Sequence, residues 1–343
     1  MMDIFSIARP EIVAMTPYVS ARSSAAADGI LLNANESPDT HVTDPEWRRL
    51  SMNRYPPPQP GLLRSRLAEL YGVDESRLLI TRGSDEGIDL LTRVFCRPGQ
   101  DAIVECSPCF GMYRIAATIQ GAAIIDVPRQ AASDFEIDFD QLEKAITARK
   151  GVRLVFLTSP NNPTGDLINE PDLRRVLNAC DGNALVVMDE AYIEFSEAPS
   201  AIDLMDEYPQ LVVLRTLSKA WAAAGVRCGI VIANPDVIGL LQRVIAPYPL
   251  AATAIDAAMQ ASSNEAALRQ QAFVPENGQG RKDILDFLAG CDWLEMVGDS
   301  QANFVLIRVD DADKLVNWCA DSGIRIRNFT SQSQLQGLSL IHI

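Results

Sequence analysis

Short apolar runs recur through the first two thirds of the chain, at Leu78–Thr81, Ala102–Glu105, Ala123–Val127, Leu154–Thr158, Leu185–Met188, Leu211–Leu214 and Gly229–Ala233. Apolarity inside each run is continuous, which predicts strands covered on both faces and hence a mostly parallel sheet. The intervening segments, among them Ile88–Phe95 and Leu142–Ala148, place apolar residues three and four apart and predict helices. This alternation predicts an α/β fold, a mostly parallel central sheet flanked by helices. Beyond Pro247-Tyr248-Pro249 the pattern changes. A long Ala-rich helix is expected over Ala251–Phe273, then strands Trp293–Val297 and Asn303–Val309, a helix Ala312–Ser322 and a strand Ile324–Arg327, together a small α+β domain. The expected division is 1–53 as an N-terminal arm with part of the small domain, 54–247 as the large domain and 248–343 as the C-terminal small domain. The turn-rich stretches Asn33–Pro38 and Tyr55–Pro58 suit an arm that crosses both.

A chain of 343 residues exceeds one small core and suits a large domain with a smaller companion. Its 45 acidic and 30 basic residues give a formal charge of −15, which argues against nucleic acid or an anionic membrane as partner. Any anionic substrate must then be held by locally placed arginines. No apolar stretch of about 18 residues is present to span a bilayer, and no basic-then-apolar leader opens the chain, so a cytoplasmic protein is expected. Seven scattered cysteines, an odd number, suit free thiols in a reducing compartment. Cys106 and Cys109 form a C-x-x-C, but without a second pair or a nearby histidine it reads as coincidence sooner than as a metal or redox site. The two histidines, His41 and His342, leave no material for a Ser-His-Asp triad or a histidine-rich centre, and no metal is expected.

Four segments at expected strand ends carry candidate chemistry. Gly83-Ser84-Asp85-Glu86-Gly87 joins a strand to a helix. Ser84 or Asp85 would cap that helix and its free N–H groups would cradle an anion, although an ordinary capped turn looks the same in sequence. Ser159-Pro160-Asn161-Asn162-Pro163-Thr164-Gly165 follows another strand and projects an amide at the carboxyl edge of the sheet, where open α/β sheets bind ligands. Asp189-Glu190-Ala191-Tyr192 closes a third. A carboxylate there suits a protonated pyridine nitrogen and Tyr192 a phenolic oxygen, while a helix cap or salt-bridge partner is the plainer reading. The fourth segment places Lys219 after a strand, beside Ser218 and eight positions before Arg227. A lysine amine suits a Schiff base, and a hydroxyl with a guanidinium suits a phosphate. A Ser-Lys hydrolytic dyad is disfavoured because adjacent residues on a strand point to opposite faces.

In order and spacing these segments resemble the fold-type I pyridoxal-phosphate aminotransferases of class I/II, and more finely their histidinol-phosphate branch. The resemblance rests on Leu32-Asn33-Ala34-Asn35-Glu36, Arg54-Tyr55-Pro56, the Gly83–Gly87 turn, Pro108 with Gly111-Met112-Tyr113, the Ser159–Gly165 loop, Asp189–Tyr192 and Leu214–Gly229. It implies pyridoxal 5′-phosphate as cofactor and amino-group exchange between L-histidinol phosphate and 2-oxoglutarate in histidine biosynthesis. By the same resemblance, Lys219 would hold the cofactor as a Schiff base and then move the substrate's α-proton. Asp189 would bind the pyridinium nitrogen, Asn162 and Tyr192 the phenolic oxygen, and Tyr113 would stack on the ring. Backbone N–H groups of Ser84 and Asp85, with Ser218 and Arg227, would bind the phosphate. Tyr55 would reach into the neighbouring site of a homodimer, and Arg327 would bind substrate.

The resemblance fails at the end of the chain. Ser339 stands where an arginine for the substrate's anionic end is expected, and the last residues suggest a truncated or vector-derived tail in which His342 has no role. Losing an arginine from a buried anion costs about 2–5 kcal/mol. The sequence leaves open a related enzyme on the same scaffold, either an aromatic aminotransferase or a phospho-amino-acid decarboxylase. It also leaves open a cofactor-binding protein without turnover. A cofactor-dependent transcription regulator would need a basic DNA-binding domain that this acidic chain lacks.

Overall fold

The computed structural model describes residues 2–17, 34–37, 39–330, 335 and 337–342. Leu32 and Asn33 of the first motif, and Ile343, lie outside the described residues. The seven apolar runs are strands β1 (Leu78–Thr81), β2 (Ala102–Glu105), β3 (Ala123–Asp126), β4 (Val152–Thr158), β5 (Leu185–Asp189), β6 (Leu211–Thr216) and β7 (Gly229–Ile232). They form one sheet in the order β1-β7-β6-β5-β4-β2-β3. β3, β2, β4, β5 and β6 run parallel, and β7 lies antiparallel between β6 and β1.

Every residue of β1, β2, β5, β6 and β7 is buried, as continuous apolarity requires of strands covered twice. Leu79, Ile103, Leu214 and Val231 face a layer made by the helices Gly83–Phe95, Met112–Gln120 and Pro235–Val244. Leu78, Val104, Val186 and Val213 face the helices Gly61–Tyr71, Phe139–Ala148 and Glu170–Ala179. Ile4 and Ile7 pack into the first of these layers, so the arm begins on the large unit.

The expected helix over Ala251–Phe273 is two helices, Ala252–Ala261 and Asn264–Leu288. Ser263 divides them: its hydroxyl accepts the Ala266 N–H at 3.2 Å and caps the second helix. Alanine fits a helix without marking a face, so periodicity alone did not reveal the break. Leu250 and Ala258 pack into the large core, and by packing the large unit extends past Pro247. No helix of the described residues is long and apolar enough to cross a membrane.

The second sheet contains β8 (Leu294–Val297), β9 (Phe304–Val309), β10 (Arg327–Asn328) and β11 (Leu338–His342) in the antiparallel order β10-β11-β9-β8. The strand expected at Ile324–Arg327 begins only at Arg327, and β11 adds a central strand to the expected β-β-α-β series. The two units share an apolar cluster. Phe135, Tyr192, Phe195 and Ala220 from the large unit meet Phe304, Leu306, Leu338 and Leu340 from the small one.

Gly165 marks a closer contact between the units. Its φ is +80°, its carbonyl accepts the Gln301 N–H at 2.8 Å, and a Cβ there would overlap Ser300. Gly165→Ala combines a left-handed backbone with that overlap and should destabilise the protein by about 2–4 kcal/mol, read from the urea midpoint. An unchanged midpoint would show that the junction yields freely.

Candidate active site

The ends of β1, β4, β5 and β6 lie at one edge of the large sheet, and there they line an inner pocket of about 140 Å³. Ser84, Asp85, Asn162, Asp189, Tyr192, Ser218, Lys219 and Arg227, all expected site residues, line it together with Phe110, Thr158 and Thr216. It adjoins a cleft of about 840 Å³ lined by residues of both units, and Lys219, Asn162 and Tyr192 line both cavities.

Asp189 ends β5 and is fully buried. One carboxylate oxygen accepts the Ala191 N–H at 3.1 Å and the other accepts the Tyr113 hydroxyl at 2.7 Å. Burial pushes its carboxyl up to about 6, against the pull of the Tyr113 and Ala191 hydrogen bonds. No salt bridge to Asp189 forms among the described residues, so the floor of the pocket favours an arriving cation.

Tyr113 is not where a ring-stacking residue must be. It lies in the first turn of the Met112–Gln120 helix, pointing down to the sheet, fully buried and stacked on Phe156 at 4.6 Å. Its hydroxyl also meets the Thr158 hydroxyl at 2.8 Å. Burial, with Asp189 beside it, holds that hydroxyl well above its ordinary pKa, so it remains a donor. Phe110, in the turn before the helix, lines both the pocket and the cleft, as Tyr192 does, and offers a ligand the aromatic face that Tyr113 does not. Two aromatics three residues apart gave no sequence signal to separate these roles.

The opposite end of the pocket is built for an anion. The Gly83–Phe95 helix starts with Arg82 at the N-cap and no side-chain cap, so Ser84 and Asp85 sit inside its first turn and are not its caps. Their N–H groups have no intrahelical partner. The Arg227 guanidinium reaches the Ser218 hydroxyl at 3.3 Å and Asp85 at 3.2 Å, and its carbonyl accepts the Gly83 N–H at 3.0 Å. Thr216 orders this end by accepting the Ser218 N–H at 3.1 Å. Gly229, at the start of β7, lets the strand pass directly under the helix: a Cβ would overlap the Gly83 carbonyl and the Ser84 nitrogen. Sequence reasoning did not single out Gly229, Thr158 or Thr216.

Lys219 projects between these ends, its Nζ 5.2 Å from the Tyr192 ring centre. The Asn162 amide donates to the Tyr192 hydroxyl at 2.9 Å. The loop behind Asn162 is held by the fully buried Asn161, whose amide donates to the Pro108 carbonyl at 3.1 Å and to the Thr164 hydroxyl at 2.7 Å.

In the outer cleft, Arg327 faces Lys219 and has no carboxylate partner among the described residues; its guanidinium sits over Phe329 at 5.5 Å. Ser339 does not face the cleft. It is fully buried, its hydroxyl donates to the Arg327 carbonyl at 3.2 Å, and its neighbours Leu340 and His342 take the cleft side of β11. The period of two along a strand therefore points position 339 away from any ligand. His342, set aside in sequence, lines the cleft; burial, then Lys219 and Arg327, lower its pKa. Cys106 is buried and its thiol is pushed up to about 12 by that burial, which leaves it unreactive. Tyr55 lines neither cavity. It stands half-exposed, stacked on Tyr248 at 4.5 Å, with its N–H held by Glu36 at 2.6 Å.

A lysine amine, a buried carboxylate awaiting a cation and an uncapped helix end beside an arginine fit pyridoxal phosphate, which has an aldehyde, a ring nitrogen and a phosphate at those three places. Fold and site define a pyridoxal-phosphate enzyme of fold type I. Residues 27–333 match the family described as aminotransferase class I and II, and the chain belongs to that family. It is 42% identical over 348 aligned positions to a histidinol-phosphate aminotransferase from Pectobacterium atrosepticum, covering 100% of this chain and 94% of the relative. A histidinol-phosphate aminotransferase from Sodalis glossinidius is 43% identical, with 97% and 91% covered. The crystal structure of the histidinol-phosphate aminotransferase from Clostridium acetobutylicum shares the fold, with a TM-score of 0.75 at 22% identity over 85% of this chain and 86% of that one.

Gly229→Ala should displace the helix end and weaken cofactor binding at least about tenfold with the far-UV circular dichroism unchanged, measured by fluorescence titration with the cofactor. Unaltered affinity would remove the helix end from the phosphate site. Asp189 adds a pH signature to the cofactor-free protein. Because its folded pKa is raised, its contribution is complete at acid pH and falls by about 3 kcal/mol as pH rises from about 4 through 6. Cofactor-free Asp189→Asn should therefore be more stable than wild type at pH 7.5, with the gap closing below pH 4 in urea titrations. A gap independent of pH would contradict the buried, raised carboxyl.

Proposed function

We propose that the chain is a histidinol-phosphate aminotransferase of histidine biosynthesis, converting L-histidinol phosphate and 2-oxoglutarate to imidazole-acetol phosphate and L-glutamate. One observation carries it: Lys219, Asp189 and the Ser84–Arg227 anion site line one pocket, in a chain 42% identical throughout to a histidinol-phosphate aminotransferase. Bound at Lys219, pyridoxal 5′-phosphate supplies an electron sink for the charge left when the substrate loses its α-proton.

The chain's residues do the rest. Asp189 would pair with the protonated ring nitrogen, Tyr113 orients Asp189 from below, and Phe110 would cover one ring face. Asn162 and Tyr192 would hold the phenolic oxygen. The first-turn N–H groups at Ser84 and Asp85, with Ser218 and Arg227, bind the phosphate. Lys219 would hold the cofactor's aldehyde carbon and, with its amine free, would take the substrate's α-proton and return it within the cleft. Arg327, uncompensated among the described residues, holds the substrate's phosphate. Tyr55, exposed and fixed by Glu36 and Tyr248, suits a place in the site of a second copy, making the active form a cytoplasmic homodimer with no nucleic acid or membrane partner.

The purified protein loaded with cofactor is mixed with L-histidinol phosphate in the absence of any keto acid, and the visible spectrum is followed. The cofactor's visible band should convert to that of its amino form, and Lys219→Ala should slow turnover at least about 10³-fold while remaining folded. A band that ignores histidinol phosphate yet responds to phenylalanine would sink the substrate assignment.

A further inference from the structure

The end of β5 and the turn after it supply Asp189 and Tyr192, the segment after β6 supplies Lys219, and a single guanidinium ties the two together. Arg215 lies on β6, four residues before Lys219, and is buried. Its Nη1 donates to Glu190 at 3.1 Å and its Nη2 to Glu194 at 2.8 Å. The same guanidinium lies over the Tyr71 ring at 4.8 Å. Both glutamates are engaged further. Glu190 accepts the Ser200 hydroxyl and the Ala201 N–H, each at 2.6 Å, and Glu194 accepts the Trp221 indole N–H at 3.3 Å. Trp221 is two residues after Lys219, so the lysine is bracketed in sequence by groups that converge on Glu194.

None of Arg215, Glu190, Glu194 and Trp221 lines the inner pocket, so the cluster makes no direct contact there. Nor is it a good device for stability, because burying one guanidinium with two carboxylates carries a desolvation cost that apolar side chains of the same volume avoid. Its effect is geometric. A planar fork holds two carboxylates at a fixed spacing, which one ammonium on a flexible stem does not reproduce. Tyr192 lies midway between the two glutamates, with its ring against Lys219 Nζ and its hydroxyl on Asn162. Fixing residues 190 and 194 fixes the residue between them.

We propose that Arg215 is a positioning residue: through Glu190 and Glu194 it holds Tyr192 against Lys219. The inference rests on Lys219 being the cofactor-bearing lysine, and it concerns how that lysine is held, not which substrate follows.

The test uses the cofactor-loaded protein without any amino donor and reads the pH midpoint of the visible band at Lys219. Tyr192 acts on Lys219 by contact, and the charged or titratable groups that share its pocket and cleft include Asp85, Asp189, Arg227, Arg327 and His342, none of which is altered. Four proteins are compared: wild type, Arg215→Lys, Tyr192→Phe and the double variant, each checked for folding by circular dichroism. Arg215→Lys and Tyr192→Phe should each shift the midpoint in the same direction by at least about 0.4 pH units, and the double variant should shift no further than Tyr192→Phe alone. Glu194→Gln, which keeps the side chain's size, should give a smaller shift of the same sign and serves if Arg215→Lys does not fold. An unchanged midpoint in a folded Arg215→Lys or Glu194→Gln protein, or fully additive shifts in the double variant, would overturn the proposal. A wild-type band that persists after Lys219→Ala would overturn it together with the cofactor assignment, whereas inactivity toward histidinol phosphate bears only on the substrate.

Discussion

A carboxylate buried without a cation is the constraint around which this structure is arranged. Asp189 ends a strand covered on both faces and is 1% exposed, so solvent offsets little of its charge. Two hydrogen bonds, from Ala191 and Tyr113, hold it in one orientation but do not neutralise it. The pocket is therefore prepared for a positively charged group at one end. At the other end the uncapped helix and Arg227 prepare it for a negative one. A ligand with a cationic ring nitrogen and a phosphate satisfies both ends at once, and Lys219 stands between them.

The same side chains that face the pocket also join the two units. Tyr192 touches Phe304 of the small sheet edge-to-face at 5.2 Å, and Ala220, next to Lys219, belongs to the shared apolar cluster. The loop that carries Asn162 ends at Gly165, whose carbonyl binds Gln301. Any shift of the small unit is felt at Lys219, Tyr192 and Asn162. Arg327 on β10 brings the outer cleft into the same assembly.

Strands that lie inside two helical layers must be apolar throughout, so all seven strands of the large sheet were legible at nearly their observed bounds. Seven of the expected pocket residues were legible because each lies at or soon after a strand end, and parallel strands finish at one edge; the eighth, Arg227, precedes the antiparallel β7, which starts at that edge. The failures have a common cause. Tyr113 and Phe110 are alike in composition and differ only in which side of a turn they occupy. Ser84 and Asp85 are good capping residues that the helix, starting at Gly83, takes inside its first turn. Ser339 was aligned by position, but the pleat of β11 turns it inward. Gly229 and Arg215 lie within the Leu214–Gly229 segment but had no role assigned there, since one acts by lacking a Cβ and the other by reaching two glutamates beyond a different strand end.

The sequence by itself determined the covered sheet, the chemistry of the residues at its edge and the family to which they belong, because burial and reactivity are properties of residue type and local spacing. Only the tertiary structure decided which face each side chain presents and which distant groups share a charge. Tyr113 lies 76 positions from Asp189, and Arg215 lies 21 from Glu194. Their contacts depend on the packing of whole elements, and no local pattern encodes that packing.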